Sequence, residues 1–443
     1  MRIIFVNRYF YPDHSATSQM LSDLAFALAK SGHSISVIAS RQLYDMPETD
    51  LPNREAVKGV AVHRVWTSHF GRHNLAGRAI DYLTFYMSAA WTLWRVSRQR
   101  DIIVVKTDPP MLSVVVAPIA RMRRAKLVNW LQDLFPEVLE ALDIKGKSKR
   151  RRIYDVMRRL RNSSLRHAQM NILIGERMAE RLAQFGVPAE RIRMIPNWAD
   201  GTLVMPSAHA VNPLRQQWGL EGKFVVGYSG NLGRAHEVNT FIQAITCLEH
   251  DRSTTVASKD ENGLRCDVIW LFIGGGALYR QLQAEVVARH LTSVQFRSYQ
   301  PREFLAQSLS AADIHLVSLR PELEGLIVPS KYYGIAAAGL PTIFVGDADG
   351  EIARILHAGG SGQTVAVGDG VGLAALIRAV AANPKRAREM GRRSRSVFER
   401  DFDFPVAVSA WEGVLAAIHT DSINAADDHP AGFAQKLQSD KTI

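Results

Sequence analysis

Val225-Val226-Gly227-Tyr228-Ser229-Gly230-Asn231-Leu232-Gly233-Arg234 runs from an apolar stretch, through glycines and an asparagine, to an arginine. Phe224–Tyr228 reads as a short strand buried on both faces, the kind found in parallel sheets. The glycines that follow read as a turn, and Ala235–Leu248 as the helix it opens. Strand, tight turn and helix form the repeating unit of a doubly wound α/β fold. In such a turn the backbone can approach a phosphate closely and helix N–H groups point at it, while Arg234 adds a positive charge. The same residues also suit an ordinary strand–helix turn.

The alternation extends in both directions. After it come strands at Val268–Ile273, Val294–Phe296, Ile314–Val317 and Thr342–Val345, with helices at Leu278–Arg289, Arg302–Ala311, Ser330–Ala338, Glu351–Ala358 and Val371–Ala382. Before it come strands at Ile3–Asn7, Ser34–Ala39, Val60–Val65, Ile102–Val105, Lys126–Leu131 and Met170–Ile174, separated by helical patterns at Ser18–Ser31, Asp81–Arg98, Leu112–Arg123, Tyr154–His167 and Glu176–Phe185. A chain of 443 residues is too long for one ordinary core. The reading is therefore two doubly wound, Rossmann-like α/β domains, 1–205 and 212–397, with a Pro/Ser/Ala linker between them. A last helix, 398–419, follows, and then a loose tail, 420–443. Two such domains bind ligand in the cleft at their carboxyl strand ends.

Three further segments fall at those ends. Pro329-Ser330-Lys331 opens the helix that Gly339 ends, so Lys331 sits in a first turn, where the helix dipole disfavours a cation. A docked anion there resolves the conflict; a solvated lysine is the plainer alternative. Ile273-Gly274-Gly275-Gly276 lacks the spacing of a dinucleotide fingerprint, but it leaves room for a nucleotide, with Tyr299 able to border the base. In the first half, Trp130-Leu131-Gln132-Asp133 closes a strand at the cleft face. Asp133 fits a catalytic carboxylate and equally a helix N-cap. Ser15, Ala16 and Thr17 follow the first strand and are small enough to leave substrate room, and His14 beside them reads as a surface histidine. Asp347 and Asp349 read as solvated turn residues. No Cys/His cluster suggests zinc, and neither a P-loop nor a nucleophile elbow is present.

Composition narrows the class. Apolar residues make up 47% and charged residues 22%, as in globular proteins. The two cysteines, Cys247 and Cys266, point to a reducing compartment. The N-terminus does not read as a secretory signal, and the most hydrophobic stretch, 102–120, is broken by Lys106, Asp108 and two prolines. The net charge is +11, with +13 on residues 1–200 and −2 on the rest. The first half therefore faces an anionic partner: a membrane, a diphosphate or nucleic acid. Lys145, Lys147, Lys149 and Arg150–Arg152 open a basic run, and Tyr82, Phe85, Tyr86, Trp91 and Trp94 crowd one helix. Together they favour an anionic lipid surface, although core packing would also account for the aromatics.

These motifs, with Tyr9-Phe-Tyr-Pro12, Leu28-Ala-Lys-Ser-Gly-His33, Gln132-Asp-Leu-Phe-Pro136, Ile195-Pro-Asn-Trp-Ala-Asp200 and Ala337-Ala-Gly-Leu-Pro341, make the chain resemble the family 4 glycosyltransferases of the GT-B fold. Relatives of this kind build bacterial surface polysaccharides. The resemblance implies transfer of a sugar from a nucleoside-diphosphate donor, usually UDP-linked, with retention at the anomeric carbon and neither metal nor cofactor. It places the donor on Gly230, Asn231, Gly233, Arg234, Gly275, Tyr299, Ser330 and Lys331. It places the acceptor, a membrane-held, polyprenyl-diphosphate-linked sugar, at Ser15–Thr17, on the inner face of the cell membrane. Many relatives carry two glutamates seven residues apart before the Ala-rich helix. Here Gly334 replaces the second, and Glu324 supplies the first only with a shift of register, so Asp133 and Glu324 are the catalytic candidates. Gln132 stands where relatives often have histidine. A UDP-sugar epimerase or phosphorylase of the same fold, or a basic nucleic-acid-binding protein, are the alternatives. The last lacks any nucleic-acid motif.

Overall fold

The computed structural model describes residues 1–71, 75–142, 151–253 and 267–427. Lys145, Lys147, Lys149, Arg150 and Cys266, and the tail beyond 427, lie outside the described residues. The first sheet contains β1 (Arg2–Val6), β2 (Ser34–Ser40), β3 (Arg54–Val57), β4 (Val60–Val65), β5 (Ile102–Lys106), β6 (Lys126–Trp130), β7 (Met170–Leu173) and β8 (Ile192–Met194). The second contains β9 (Phe224–Asn231), β10 (Val268–Gly275), β11 (Val294–Arg297), β12 (Ile314–Ser318), β13 (Thr342–Val345) and β14 (Gly362–Val365). Their orders are β3-β4-β2-β1-β5-β6-β7-β8 and β11-β10-β9-β12-β13-β14. Every pairing is parallel except β3 with β4. Two Rossmann-like α/β layers, the GT-B architecture, are therefore present.

The central strands are apolar along their length because helices cover both faces of each sheet. Ile3, Ile4, Phe5, Ile103 and Val104 are buried, as are Val226, Leu271 and Leu316. The order of strands reverses between β1 and β5 in the first sheet and between β9 and β12 in the second. At those two points the connections leave in opposite directions and open a crevice at the carboxyl strand ends.

Three sequence expectations are corrected. β9 does not stop at Tyr228 but continues to Asn231, and the next helix begins at Asn239, not Ala235. Gly230–Arg234 therefore lies at a strand end and in a loop, not at a helix N-terminus. That N-terminus is closed by the Glu237 carboxylate, which accepts from the Asn239 and Thr240 N–H groups at 2.8 Å each. The expected 398–419 helix is two helices, Pro384–Asp401 and Phe404–Asp427. Asp403 breaks them: its Oδ1 accepts from the N–H of Phe404 at 2.8 Å and of Gly201 at 3.0 Å, and Pro405 suits the new first turn. The second helix also continues seven residues past Thr420, through helix-favouring Ala425 and Ala426, where a loose tail was expected.

That last helix returns to the first sheet. Trp411 is fully buried, its ring 4.9 Å from Trp130, and Trp130 stacks on Trp198, just past β8, at 5.7 Å. Leu415 and Ile418 join the same core as Ile3 and Phe5. The domains also touch directly. Leu134 N–H, just past β6, donates to the Leu326 carbonyl, in the loop after β12, at 2.9 Å.

Truncating a fully buried tryptophan costs about 3–5 kcal/mol. Trp411→Ala should lower the stability of the intact chain by that amount in urea titrations. A loss below about 1 kcal/mol, the range of an exposed substitution, would refute this role for the helix.

Candidate functional site

At the carboxyl end of the second sheet the glycines form a floor. Gly230 and Gly274 pair in register with φ of 118° and 131°. A Cβ on Gly274 would lie 2.4 Å from the Gly230 carbonyl oxygen, so only glycine permits this approach. The Asn231 side chain closes over Gly276, where a Cβ would meet its Oδ1 at 2.3 Å. Tyr299 stands over Gly275, its ring 3.3 Å from where a Cβ would be, and is exposed on its other side. Lys331 completes the floor, with its Cε 3.1 Å from the position of a Gly230 Cβ. Ser330 precedes it in the αR conformation, without a side-chain cap, at the start of the Lys331–Ala337 helix. Arg234 is exposed on the neighbouring loop, and Gly233 beside it packs on Asn231.

The residue that organises this end, His236, did not emerge from the sequence. Its Nδ1 lies 2.7 Å from the Ser318 carbonyl and its Nε2 lies 3.0 Å from Lys331 Nζ. The carbonyl accepts a hydrogen bond from Nδ1–H, which leaves Nε2 as the acceptor for the ammonium. Burial first, and then the Lys331 charge, hold His236 down to about 4, so it stays neutral in this role. Burial lowers Lys331 to about 8, and its Nζ lies 5.4 Å from the centre of the Tyr228 ring. The available signal was position: His236 follows Arg234 by two residues in the same loop.

At the carboxyl end of the first sheet a second polar cluster gathers. Asp13 orients the small-residue loop: its carboxylate accepts from the Ser15 N–H at 2.8 Å, from the Ser15 hydroxyl and from the Tyr44 N–H. Ala16 is exposed, and the buried Thr17 hydroxyl has no partner. Lys106, which ends the otherwise apolar β5, is 1% exposed. Its Nζ donates to the Thr17 carbonyl at 3.0 Å and lies 3.8 Å from the Trp130 ring centre. Asp133 is not an N-cap. Burial raises it to about 6 against the opposing Thr107 hydrogen bond, and its Oδ1 is buried without a partner. Its backbone bridges to Ile327 of the other domain. Tyr299, in the second domain, senses Asp45 and Tyr44 of the first, so the two ends face each other.

Glu324, the other catalytic candidate, is tied to a helix end by one oxygen, while its Oε2 is buried without a hydrogen-bond partner. Its Oε1 accepts from the Glu351 N–H at 2.8 Å, which caps the Glu351–Gly359 helix, and Gly350 packs against its other oxygen. Burial raises its pKa. Glu351 repeats the device across the domain boundary, accepting from the Arg177 N–H at 3.0 Å at the start of the Glu176–Gln184 helix. Asp349, expected to be solvated, is exposed but pairs with Arg354 at 2.8 Å. Among the described residues, no group of three or more His, Cys, Asp or Glu side chains could hold a metal ion.

The outer face of the first domain is apolar and basic. On the Leu75–Val96 helix, Ile80, Leu83, Met87, Trp91 and Trp94 are exposed along one stripe, Met87 to 66% and Trp91 to 64%. Phe85 instead enters the core, and Tyr86 donates to the Pro110 carbonyl. The Leu112–Met122 helix separates this stripe from the Arg151–His167 helix, which exposes Ile153, Val156 and Leu160 beside Arg152 and Arg159. No helix among the described residues is long and apolar enough to cross a membrane.

Comparison with known proteins bears on the family and the fold. Residues 16–198 match the family model of the glycosyl transferase 4-like domain. The chain is 24% identical over 326 residues to the probable glycosyltransferase WbjE of Pseudomonas aeruginosa, covering 74% of this chain and 77% of that protein. It is 23% identical over 367 residues to the putative colanic acid biosynthesis glycosyl transferase WcaI of Escherichia coli (strain K12), covering 80% and 86%. Its fold is similar to that of Anabaena Alr3699/HepE, solved with UDP and glucose, at a TM-score of 0.67 and 17% identity, over 94% of this chain and all of that one. The resemblance to family 4 glycosyltransferases and the GT-B fold both hold.

Burial lowers Lys106 from 10.5 to about 7. Between those values the unfolded chain binds a proton that the folded chain does not, so stability rises with pH across this window and is lowest below 7. Lys106→Met removes the penalty. Its melting temperature relative to wild type should therefore be higher near pH 6.5 than near pH 9.5, and an equal difference at both would contradict the assignment.

Proposed function

We propose that this glycosyltransferase, a family 4 relative on a GT-B scaffold, moves a sugar from a UDP-sugar to a membrane-held, polyprenyl-diphosphate-linked acceptor. The transfer serves surface polysaccharide synthesis, retains the anomeric configuration and needs neither metal nor cofactor. The observation that carries the donor half is the Lys331 ammonium held over the Gly230–Gly274 floor by His236. As the sugar leaves, negative charge accumulates on the diphosphate, and a fixed cation with nearby N–H groups stabilises it more in the transition state than in the ground state. Arg234 and Ser330 flank that seat, and Tyr299 borders the nucleotide. HepE, solved with UDP and glucose, supports a uridine nucleotide here, and WcaI, named for colanic acid biosynthesis, supports the polysaccharide setting.

Asp133 is the acceptor-side acid–base candidate. Its pKa near 6, its buried unpartnered oxygen and its position at the domain junction suit a group that holds an acceptor hydroxyl. Glu324 is a positioning residue that fixes the loop between β12 and Lys331.

The apolar stripe with its arginines supports docking on anionic lipid at the inner face of the cell membrane. An amphipathic surface of this kind lies in the interface, and each nearby cation contributes about 1 kcal/mol.

Two experiments test these halves. Removing a charge-assisted contact costs about 1.5–3 kcal/mol, so Lys331→Met should weaken UDP binding roughly 10- to 150-fold in calorimetry while leaving the fold intact. Undiminished UDP affinity, or wild-type transfer abolished by chelator, would overturn the donor reading. For the membrane, a Met87→Glu/Trp91→Glu double variant should lose sedimentation with phosphatidylglycerol vesicles yet bind UDP normally. Unchanged sedimentation would exclude this face.

A further inference from the structure

Arg8 lies at the switch point of the first sheet, where the connections after β1 and β5 part, and its N–H donates to the Asp108 carbonyl at 2.7 Å. Its side chain is an exception to the usual treatment of buried charge. The residue is 7% exposed, its Nε is buried without a partner, and no described carboxylate forms an ion pair with it. What surrounds the guanidinium is aromatic, with its central carbon 5.3 Å from both the Tyr9 and the Tyr82 ring centres. A buried charge without a counter-ion is costly, and folded proteins rarely carry one unless something else pairs it. The buried Nε finds no acceptor, so the guanidinium keeps donors in hand, in the fork geometry that fits phosphate oxygens.

We propose that Arg8 seats a phosphate of the acceptor, an inference that rests on the membrane-acceptor reading above. Three observations favour the acceptor over the donor as the source of that phosphate. The donor floor of Gly230 and Lys331 belongs to the other sheet. Tyr82 lies within the electrostatic reach of Arg8, Arg78, Asp108 and Asp133 together, so a phosphate on Arg8 sits in one cluster with the carboxylate assigned to the acceptor hydroxyl. Arg78 and Tyr82 also belong to the Leu75–Val96 helix, whose outward stripe begins at Ile80 and Leu83. A diphosphate held between Arg8 and Arg78 leaves its hydrocarbon tail beside that stripe. The same helix then serves the head group on one face and the lipid on the other.

The test is binding of farnesyl diphosphate to the full chain with UDP saturating, so that the donor seat is filled. Wild type should bind it, farnesol should not compete, and inorganic pyrophosphate should compete more weakly than the lipid. Arg8→Gln should bind it at least ~10-fold more weakly, with Arg8→Lys intermediate, because lysine keeps the charge and loses the fork. UDP affinity and melting temperature serve as controls for folding, and both should match wild type in Arg8→Lys. Equal farnesyl diphosphate affinity in wild type and Arg8→Gln, or no saturable binding by wild type, would overturn the proposal. Pyrophosphate binding as tightly as the lipid would assign the seat to a free anion and overturn the acceptor assignment. These failures leave UDP binding intact, whereas loss of UDP binding in the wild type strikes at the glycosyltransferase reading itself.

Discussion

A strand in the middle of a doubly wound sheet is covered by helices on both faces and hydrogen-bonded on both edges. Only its carboxyl end is available to a ligand, and only where neighbouring connections leave in opposite directions. That constraint applies twice here, at β1/β5 and at β9/β12. The site depends on both points being brought together by the Leu134–Leu326 hydrogen bond and the Asp133–Ile327 bridge. Arg8, Lys106 and Asp133 come from one switch region, and Gly230, His236 and Lys331 from the other.

At the strand ends of the second domain the Lys331 cation is held by a hydrogen bond to a neutral group. His236 is kept uncharged by burial and by Lys331 itself, and it can then accept from the ammonium without cancelling its charge. A carboxylate in that place would neutralise the cation and compete with a diphosphate. The carboxylates of this region are instead committed to helix ends: Glu237 closes the Asn239–Ser253 helix, and Glu324 closes the Glu351–Gly359 helix. Each satisfies orphan N–H groups with a charge of the sign the helix dipole favours. Glu351 then does the same for the Glu176–Gln184 helix of the first domain. The loop leading to the donor lysine is thereby tied to the orientation of the opposite domain.

The fold was legible because apolar runs such as Ile102–Val105 and Val225–Val226 need cover on two sides, and glycine clusters punctuate them. The glycine floor was legible too, since Gly230 and Gly274–Gly276 end consecutive strands. Less visible were features that arise only when separate strands meet. His236 fell inside the expected 235–248 helix and carried no signal of its own; its role comes from Ser318 and Lys331, which close on it from β12 and beyond. Lys106 read as an interruption of a hydrophobic stretch, and only the stacked Trp130 beneath it shows a cation placed on a ring. Glu324 read as a catalytic candidate because its chemistry is visible in sequence, whereas the helix end that one of its oxygens caps, at Glu351, is 27 residues away. The turn read at Gly230–Arg234 misled for a related reason. Glycine permits a turn but also the close strand pairing that extends β9 to Asn231.

The two halves treat their cations differently, and the difference fits the roles proposed for them. Lys331 has a protein partner that holds it in place, and a lysine is a compact point charge whose position matters more than its plane. A leaving diphosphate needs such a fixed charge at one locus while its bond to the sugar lengthens, and it must then depart. Arg8 has no ion-pair partner among the described residues but lies against the rings of Tyr9 and Tyr82, and its buried Nε stays open for hydrogen bonding. That arrangement suits a phosphate that arrives with the acceptor, stays unreacted and leaves with the product. A preorganised edge that the fold leaves unsatisfied lowers the cost of ordering the incoming group, because the protein has already met that cost in folding.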